Sequence, residues 1–512
     1  MKKWFRLILL SVGGVFILDS SSAQVTPTAL GLLFSQTNYG GTARVRSIGE
    51  ANTALGGDLS SITSNPAGLG FYNRSEVSIT PLAGFNSTSA TYLDVTTNTS
   101  SSAFGLANIG VALNSKRPDN IPGSWKGGTF GFSYNRLNDF SNKVIYKGTN
   151  IDNDYLDFVL DFGNSNEAQP GDYYLVDLPY ASYLINDFSV DSSGDTTFNV
   201  WDTFVEYASP DTPVDQQEII ETSGSVNKWG ISYGGNVSDR FYFGFGLGVM
   251  SLKYENVKTY SEVRYPESIL NNYTLFEKQN INGTGVNGNF GIVVRPINKL
   301  TIGVSYVTPT SYTITDKYET SMHSIWNESS LIYYGDDPGF TGDQTSQQIP
   351  DDWNYSLVTP MRLNTGLAFF FNKNGFITAD VEWVDYRNIK LRFDQGGLDD
   401  EAAEIKEKYR SVINYRMGGE FRAGDFRFRV GYNYLSNPLK DTEELNKAKS
   451  TYSGGFGYRK KKFFIDMAVL YTTYESLRIP YVIYEDQGIG PTPIADIKNN
   501  STRLVITGGF FF

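Results

Sequence analysis

Long segments of the chain alternate apolar and polar residues with a period of two. Because successive side chains of a β-strand point to opposite sides, this alternation predicts strands with one apolar face and one polar face. Phe426, Phe428 and Val430 share one face of such a segment, whereas Arg427 and Arg429 share the other. A membrane barrel needs this separation, since a basic side chain that faces lipid at the midplane costs about 2–4 kcal/mol.

Short turns and long polar connections follow one another in alternation along the chain. The short turns lie at 237–240, 296–299, 372–375, 423–425 and 459–462, and most of them carry the Asn, Asp, Gly or Pro that hairpins need. The most notable long connections lie at about 148–223, 261–281 and 320–355. Bacterial outer-membrane barrels have this asymmetry, with short turns in the periplasm and long loops outside.

The predicted fold class is therefore all-β, a transmembrane antiparallel β-barrel of about 14 strands that occupies 75–512. The last segment alternates through Leu504, Ile506 and Gly508 and ends in an aromatic residue, Phe512. An apolar last strand with a terminal Phe is typical of outer-membrane barrels. The alternative is a soluble domain with a buried edge strand at its C-terminus, which seldom ties down the chain end in this way.

Composition fits a barrel and excludes several other classes of protein. Charged residues make up 19% of the chain and aromatic residues 15%, with a mean hydropathy of −0.30. A net charge of −12 argues against nucleic-acid binding, which needs basic surface. The chain has no Cys, and His323 is its one His. We therefore expect no disulfide, no metal site, no cofactor and no Ser/His catalysis, and hence no enzyme.

Residues 1–23 have the pattern of a secretory signal peptide. Basic residues at positions 2, 3 and 6 precede the apolar run Leu7–Leu18, and we expect cleavage near Ala23. The alternative is a membrane anchor, but the run is shorter than the roughly 20 residues that a bilayer requires. The mature protein is expected in the outer membrane of a Gram-negative bacterium.

Residues 24–74 precede the first strand and lack the alternation of period two. They are rich in Ala, Gly, Ser and Thr and contain the turn sequence Asn65-Pro66-Ala67-Gly68. A compact, weakly polar segment beside a barrel lumen suggests a hatch that plugs the lumen. The stretch 48–70 resembles the hatch motif of FadL-type outer-membrane transporters. The order of signal peptide, hatch, strands and terminal Phe extends the resemblance to the whole chain, although the connection at 148–223 departs from the family pattern.

The resemblance implies passive uptake of hydrophobic small molecules, either long-chain fatty acids or aromatic hydrocarbons. The ligand would bind in an apolar groove between external loops, pass a hatch-gated lumen and leave through a lateral opening at a kink in the third strand. Members of this family are generally monomers in outer-membrane lipid, so we expect a monomer. The alternative function is a surface protein whose barrel anchors partner-binding loops. A barrel lipase would need a Ser/His pair, which His323 alone does not supply.

Two of the predicted external loops carry candidate groove residues. In the first loop, four apolar residues within 266–278 recur at helical spacing and would form one apolar face. The second loop follows residue 320 and is rich in aromatic residues. The candidates are Ile269, Leu270, Tyr273, Phe276, Trp326, Leu331 and Tyr333. The alternative is that these side chains only pack the two loops together.

The third strand carries an irregularity on its lipid face. Phe132 and Tyr134 lie on that face, but Arg136 and Asn138 follow them on the same face. Because charge at this height is costly unless the strand bends or bulges, we expect a kink at Asn135, Arg136 and Asn138. The alternative is that Arg136 extends toward the membrane interface.

Charged residues recur on the inward faces of three neighbouring strands near the periplasmic end. They are Asp380, Glu382, Arg416, Glu420, Arg427 and Arg429. Since buried charges persist mainly when paired, we expect a network that braces the lumen and contacts the hatch. The alternative is that one arginine binds a ligand carboxylate. The acidic run 152–161 lacks EF-hand spacing, so we expect a solvated loop there rather than a calcium site.

Overall fold

The first long strand pairs with both the second strand and the last, so the sheet closes into a barrel. The structure, a computed structural model, describes residues 26–118, 123–165, 174–190, 196–206, 208–327, 332–334, 337–340, 343–347, 351–393, 399–440, 446–483 and 490–512. The predicted signal peptide, 1–23, therefore lies outside the described residues.

The secondary structure elements are numbered in chain order. The strands are β1 Glu76–Tyr92, β2 Val95–Lys116, β3 Trp125–Asp139, β4 Asn142–Asn150, β5 Asn186–Val190, β6 Thr196–Asp202, β7 Val214–Val237, β8 Phe241–Val263, β9 Leu270–Ile297, β10 Leu300–Val307, β11 Ser311–Trp326, β12 Ile332–Tyr334, β13 Asp337–Phe340, β14 Asp343–Gln347, β15 Asp351–Val358, β16 Arg362–Phe370, β17 Gly375–Asp385, β18 Lys390–Phe393, β19 Ser411–Ala423, β20 Phe426–Leu435, β21 Lys449–Arg459, β22 Phe463–Arg478 and β23 Ala495–Phe511. The α-helices are α1 Pro27–Ser35, α2 Ala43–Arg46, α3 Tyr155–Ser165, α4 Tyr174–Ala181 and α5 Asp399–Lys408, with 3₁₀ helices at Leu59–Ile62, Pro66–Phe71 and Tyr386–Asn388. Within the described ranges no helix combines the length and the apolar character needed to span a bilayer.

Fourteen strands form the barrel wall, and each pairs antiparallel with the next wall strand along the chain. They are β1, β2, β3, β7, β8, β9, β10, β16, β17, β19, β20, β21, β22 and β23. Glu76 faces Phe511 where the first strand meets the last. The predicted antiparallel barrel of about 14 strands is therefore confirmed.

On the outer face of the wall, exposed apolar residues are concentrated near the short turns. On β22 the residues from Phe463 to Tyr471 alternate between exposed apolar side chains and buried ones. Farther from the turn, the outward positions hold Thr473 and the exposed Glu475. Nine residues of a tilted strand cover the apolar band of roughly 25 Å that outer-membrane barrels present to lipid. The apolar band therefore ends well below the far ends of the long strands.

Above this band a second layer of structure, the upper tier, continues the wall away from the short turns. It consists of β4, β11, β14, β15 and β18, together with the far ends of β7, β8 and β9. The helices α3 and α4 pack on it through a buried apolar cluster that includes Val159, Val176 and Leu275. The upper tier is thus a packed cap and not a set of extended loops.

Three predicted loop boundaries are wrong, because the strands continue beyond the membrane. Strand β7 starts at Val214, inside the predicted loop 148–223, and β9 starts at Leu270, inside 261–281. Strand β11 likewise runs to Trp326, inside 320–355. Outside the lipid most outward residues of these strands are polar, so the apolar alternation that marks a membrane strand fades while the hydrogen-bonded ladder continues.

The segment 26–74 lies inside the barrel, and every side chain from 39 to 55 is buried. Two wall glycines show how closely it packs. A Cβ on Gly303 would lie 2.1 Å from the carbonyl oxygen of Thr53, and one on Gly244 would lie 2.3 Å from the carbonyl carbon of Pro66. Both distances are shorter than any real contact, so wall and hatch backbones meet only because these positions lack a side chain.

Candidate functional site

The turn sequence at 65–68 locks the hatch to itself and to the wall. Asn65 caps the 3₁₀ helix Pro66–Phe71, since its side-chain oxygen accepts from the N–H of Ala67 at 3.1 Å. Its amide nitrogen donates to the carbonyl of Thr53 at 2.7 Å. Pro66 occupies the first helical position, where no N–H is needed, and a Cβ on Gly68 would lie 2.4 Å from the Ser61 hydroxyl.

Five of the six predicted lumen charges lie buried on the inner face of the wall. Arg416 pairs with Glu382 at 3.0 Å, and Arg429 pairs with Glu420 at 2.7 Å. Arg429 also bonds Asp466 at 2.7 Å. Arg427, the sixth residue, lies near the rim and donates to the backbone carbonyls of Gly424 and Phe426.

The same wall charges hold the hatch. Asp380 accepts from the backbone N–H of Thr53 at 2.8 Å, and Glu382 accepts from the hydroxyl of Tyr39. Arg44 of α2 lies 3.8 Å from Glu420 and 3.7 Å from Asp58. Wall and hatch therefore share one network of compensating charges, which supports the bracing interpretation.

Sequence reasoning missed several members of this network: Tyr39, Arg44, Asp58, Arg362 and Asp466. Asp466 had a usable signal, because it lies on the inward face of β22 between Phe464 and Ala468, which are buried. The hatch residues had a weaker signal in the sequence, namely the basic residues at positions 44 and 46 within an otherwise weakly polar segment.

Burial in the hatch lowers the pKa of Arg46 to about 10, with Glu50 acting in the opposite direction.

The third strand is irregular at the three residues that the sequence indicated. The register of β3 against β7 shifts between Arg136 and Asn138, so Leu137 is an extra residue, a bulge. The Arg136 guanidinium bonds Asp139 at 2.8 Å and lies over Gly105 of β2, 2.6 Å from where a Cβ would be. Gly105 faces Leu82, which is buried inside the barrel. The arginine is therefore directed inward and does not extend along the lipid face.

Beyond the bulge the chain leaves the wall. Strand β2 pairs with β3 only from Asn108 to Lys116, and within the described residues its part 95–107 pairs with β1 alone. Strand β4 pairs with β7 and crosses the inner side of β1, where the hydroxyl of Thr88 donates to the Lys143 carbonyl at 2.9 Å. The result is a wall break: within the described residues, 95–107 of β2 have no ladder partner on the side of β3, and β4 lies inside the barrel instead.

Two cavities meet at the bulge. The kink cavity, about 40 Å³ in volume, is lined among others by Arg46, Glu50, Leu82, Arg136, Asn433 and Arg503. The lysine cavity, also about 40 Å³, is lined among others by Phe34, Lys228, Met250, Asn287, Tyr312 and Arg362. Asn38 and Leu137 line both of them. Hatch, bulge and inner wall thus line two adjoining cavities of the lumen.

The predicted groove residues do not form an open groove. Leu270, Tyr273 and Trp326 are buried in the apolar cluster of the upper tier, and Ile269 packs against it. Phe276 alternates with the buried Leu275 and Glu277 and so faces outward. Leu331 lies outside the described residues, and Tyr333 belongs to β12.

The predicted helical face in 266–278 is wrong, because β9 already runs as a strand from Leu270. Strands β8 and β11 flank this segment and satisfy its backbone on both sides. Such pairing outweighs a helical spacing that rests on four apolar residues. For the buried residues Leu270, Tyr273 and Trp326, the structure supports the packing alternative.

The acidic run at 152–161 is structural where it is described. Asp154 pairs with Arg264 at 2.8 Å in the interior of the upper tier and caps α3 by accepting from the N–H of Leu156. Burial and the charge of Asp154 raise the pKa of Asp157 to about 7. The expected solvated loop is therefore wrong for these two residues. In the described ranges no three acidic or His side chains are grouped so that they could hold a metal.

Comparisons with known proteins agree with this architecture. The family model described as outer membrane protein transport protein (OMPP1/FadL/TodX) matches residues 20–481. No curated protein matches the chain in sequence.

Solved structures share the fold at low sequence identity. A Pseudomonas aeruginosa FadL homologue has 12% identity and a TM-score of 0.53, with 93% of this chain and 98% of that chain covered. The P. putida toluene transporter TodX has 11% identity and a TM-score of 0.52, with 93% and 99% covered. The Ralstonia pickettii toluene transporter TbuX has 13% identity and a TM-score of 0.50, with 93% and 99% covered. Since the family model spans most of the chain, this protein belongs to the outer membrane protein transport protein family (OMPP1/FadL/TodX).

Proposed function

We propose that this protein is a monomeric outer-membrane channel for passive uptake of hydrophobic small molecules. The ligand enters at the upper tier, moves past the hatch and leaves sideways into the lipid through the wall break. The observation that carries this proposal is the contact of Arg136 with Gly105. Arg136 lines the kink cavity together with the hatch, and Gly105 lies in the part of β2 that has no partner on its β3 side. An apolar solute can leave such a cavity for the bilayer without crossing the polar space beneath the hatch.

The descriptions of structurally similar proteins support a hydrophobic ligand. Two of the structures that resemble this one are described as toluene transporters. The walls of the lysine cavity include apolar side chains such as Phe34, Met250 and Val307. Arg44 of the hatch is compensated by Glu420 of the wall and by Asp58 of the hatch itself. A moving hatch therefore keeps a partner for this charge and need not expose it to the ligand.

The alternative function, a barrel that anchors partner-binding loops, has one observation in its favour. Aromatic residues that could have formed a surface groove, such as Tyr273 and Trp326, are packed inside the upper tier. An anchor needs only a rigid cap and a sealed lumen. The wall break serves release of a ligand in a channel and has no role in an anchor. Uptake measurements therefore distinguish the two functions.

The test is uptake of a labelled fatty acid and of a labelled aromatic hydrocarbon by liposomes that contain the purified protein. Deletion of Leu137 removes the extra residue of the bulge and restores the β3–β7 register, while Leu137→Ala keeps the bulge and serves as the control. We expect the deletion to abolish release into the bilayer and the control to retain it. Deletion of 24–74 should change the uptake rate by removing the hatch. Absence of uptake by the unmodified protein for both solutes would favour the anchor.

A further inference from the structure

The short-turn end of the barrel is positively charged, although the chain as a whole carries a net charge of −12. The short turns and their flanking residues lie at 116–126, 238–240, 298–299, 371–374, 424–425 and 460–462, of which 119–122 lie outside the described residues. Among the described residues of these turns, the carboxylates are Asp239 and Asp425. The cations, which together form the basic rim, are Lys116, Arg117, Lys126, Arg240, Lys299, Lys373, Lys460, Lys461 and Lys462.

The basic rim follows the circumference of the barrel, because each short turn is hydrogen-bonded to the neighbouring hairpin. The carbonyl of Arg240 accepts from the N–H of Arg295 at 2.7 Å. At the junction of the last strand with the first, the carbonyl of Lys462 accepts from the N–H of Phe511 at 2.8 Å. Neighbouring turns lie two strands apart, which is about 10 Å. The cations are therefore spread around the barrel and are not gathered in one patch.

Exposed apolar side chains lie directly beside these cations in the sequence. Phe241 follows Arg240 and Phe463 follows Lys462, and both aromatic side chains are exposed on the outer face of the wall. The headgroup layer of a bilayer adds about 5–8 Å on each side of the hydrocarbon, a distance that a long basic side chain can span. The basic rim thus lies at the level of the phosphate groups of the surrounding leaflet.

The two carboxylates of these turns offset only part of the positive charge. Asp425 forms an ion pair with Lys460, and Asp239 accepts a hydrogen bond from the side chain of Asn236 at 2.7 Å. The side chains of the other rim lysines are exposed, and three of the cations are consecutive in the chain, at 460–462. Because like charges so close together repel each other, anions from outside the chain would stabilise this end of the barrel.

We propose that the basic rim binds the phosphate groups of anionic phospholipids in the leaflet at the short-turn end, the periplasmic leaflet of the outer membrane. The distribution of the cations favours lipid over a soluble acidic protein. A soluble partner needs a contiguous patch that faces away from the membrane, whereas these cations surround the barrel and adjoin side chains that lie among acyl chains. The proposal goes beyond the uptake function and does not depend on the molecule that the channel carries.

The test measures lipid association by electron paramagnetic resonance. The purified full chain is reconstituted in phosphatidylcholine bilayers that contain a trace of spin-labelled phosphatidylglycerol or spin-labelled phosphatidylcholine, and the motionally restricted fraction gives the relative association constant. The rim variant replaces Lys126, Lys299, Lys373 and Lys462 by Gln. The matched control replaces four exposed lysines of the upper tier and α5 by Gln, namely Lys147, Lys317, Lys390 and Lys406. The heat-resistant folded band on a denaturing gel shows that each variant is folded.

We expect the unmodified protein to associate with phosphatidylglycerol about fivefold more strongly than with phosphatidylcholine, since a basic residue near an anionic surface contributes about this factor. The preference should fall below about twofold in 1 M salt, where the Debye length is about 3 Å. The rim variant should lose at least half of the preference, and the control variant should keep it. Soluble glycerol 3-phosphate at matched ionic strength should leave it unchanged, because the acyl chains hold the lipid at the rim.

Equal association of the two lipids with the unmodified protein would overturn the proposal and leave the basic rim to a soluble acidic partner. A full preference in the folded rim variant would also overturn it, as would displacement by glycerol 3-phosphate, which would identify a site for free phosphate. If the rim variant does not fold, the double variant Lys299→Gln/Lys373→Gln decides the question, since it should lose part of the preference and an unchanged preference would contradict the proposal.

Discussion

The backbone N–H of Asn38 in the hatch donates a hydrogen bond to the carbonyl of Leu137, the bulged residue of the third strand, over 3.2 Å. These two residues also line both lumen cavities. The side chain of Asn138 adds a second link, since it donates to the carbonyl of Gln36 at 3.3 Å. The hatch and the wall break are thus mechanically joined, and a hatch that moves must either break these contacts or take the bulge with it.

The first prediction concerns this link. Asn38→Pro removes the N–H donor, whereas Asn38→Ala keeps it. Loss of one hydrogen bond of about 1 kcal/mol should raise amide hydrogen exchange of residues 36–42 by about fivefold in Asn38→Pro relative to Asn38→Ala. Equal exchange in the two variants would mean that the contact does not hold the hatch.

The second prediction concerns the lumen charges. Arg429→Met removes one close ion pair from each of the buried carboxylates Glu420 and Asp466. Breaking a buried pair costs up to about 3–5 kcal/mol, and the cost here should lie below that, because Arg422 stays with Glu420 and Arg459 with Asp466. Arg427→Met is the matched control on the same strand, because Arg427 bonds only backbone carbonyls near the rim. Thermal unfolding in detergent should be markedly earlier for Arg429→Met than for Arg427→Met. Similar unfolding temperatures would argue against a bracing role for the network.

The barrel could be predicted from the sequence because lipid imposes a simple rule on side-chain direction. On β20 apolar Phe428 faces out while Arg429 is buried inside, as the alternation indicated. Above the lipid the rule no longer applies, since polar Ser321 and His323 hold outward positions of β11 just as loop residues would. This is why the sequence predicts a loop from residue 320, where the strand in fact continues to Trp326.

The candidate site was only partly predictable, for a different reason. Arg136 can be identified from the sequence because it falls on the lipid-facing positions of its own strand, where the alternation requires an apolar residue. Such a signal is contained in one strand. Lys228 obeys the parity of β7 and lies among the inward Gly230 and Ser232, so its sequence context is ordinary. Its place in the lining of a lumen cavity depends on which residues of the hatch and of distant strands lie around it, and no pattern along one strand contains that information.

The third prediction concerns the close contact of wall and hatch. Gly303→Ala would place a methyl group 2.1 Å from the carbonyl oxygen of Thr53. Because both partners are backbone, the hatch must shift, at a cost of about 1–3 kcal/mol. Gly508→Ala is the control, since a Cβ there meets nothing within 4 Å. We expect protease cleavage within 26–74 to become faster in Gly303→Ala and to stay unchanged in Gly508→Ala; equal cleavage would contradict the packing seen here.

The fourth prediction concerns pH and the carboxyl group of Asp316 in the upper tier. Its side chain is buried and accepts one hydrogen bond, from Gln279 at 2.9 Å, while its second oxygen has no partner among the described residues. Burial raises the pKa of Asp316 to about 7, and the Gln279 hydrogen bond opposes this shift. In the unfolded chain an Asp carboxyl has a pKa of about 3.9. The folded protein therefore holds a proton that the unfolded chain has already lost between about pH 4 and pH 7.

Stability of the upper tier must consequently fall as the pH rises through that window and level off above it. Asp316→Asn keeps the Gln279 contact but cannot ionise, so it should be more stable than the unmodified protein at pH 8, by up to about 4 kcal/mol at about 1.4 kcal/mol per pKa unit. At pH 4 the two proteins should unfold at similar temperatures. Tryptophan fluorescence can follow unfolding, because Trp353 of β15 lies opposite Asp316 in the ladder, and Asp215→Asn on the outer face of β7 is the control. A stability difference between Asp316→Asn and the unmodified protein that is the same at pH 4 and pH 8 would show that the Asp316 carboxyl does not titrate in this range, and that water or a bound cation compensates its charge.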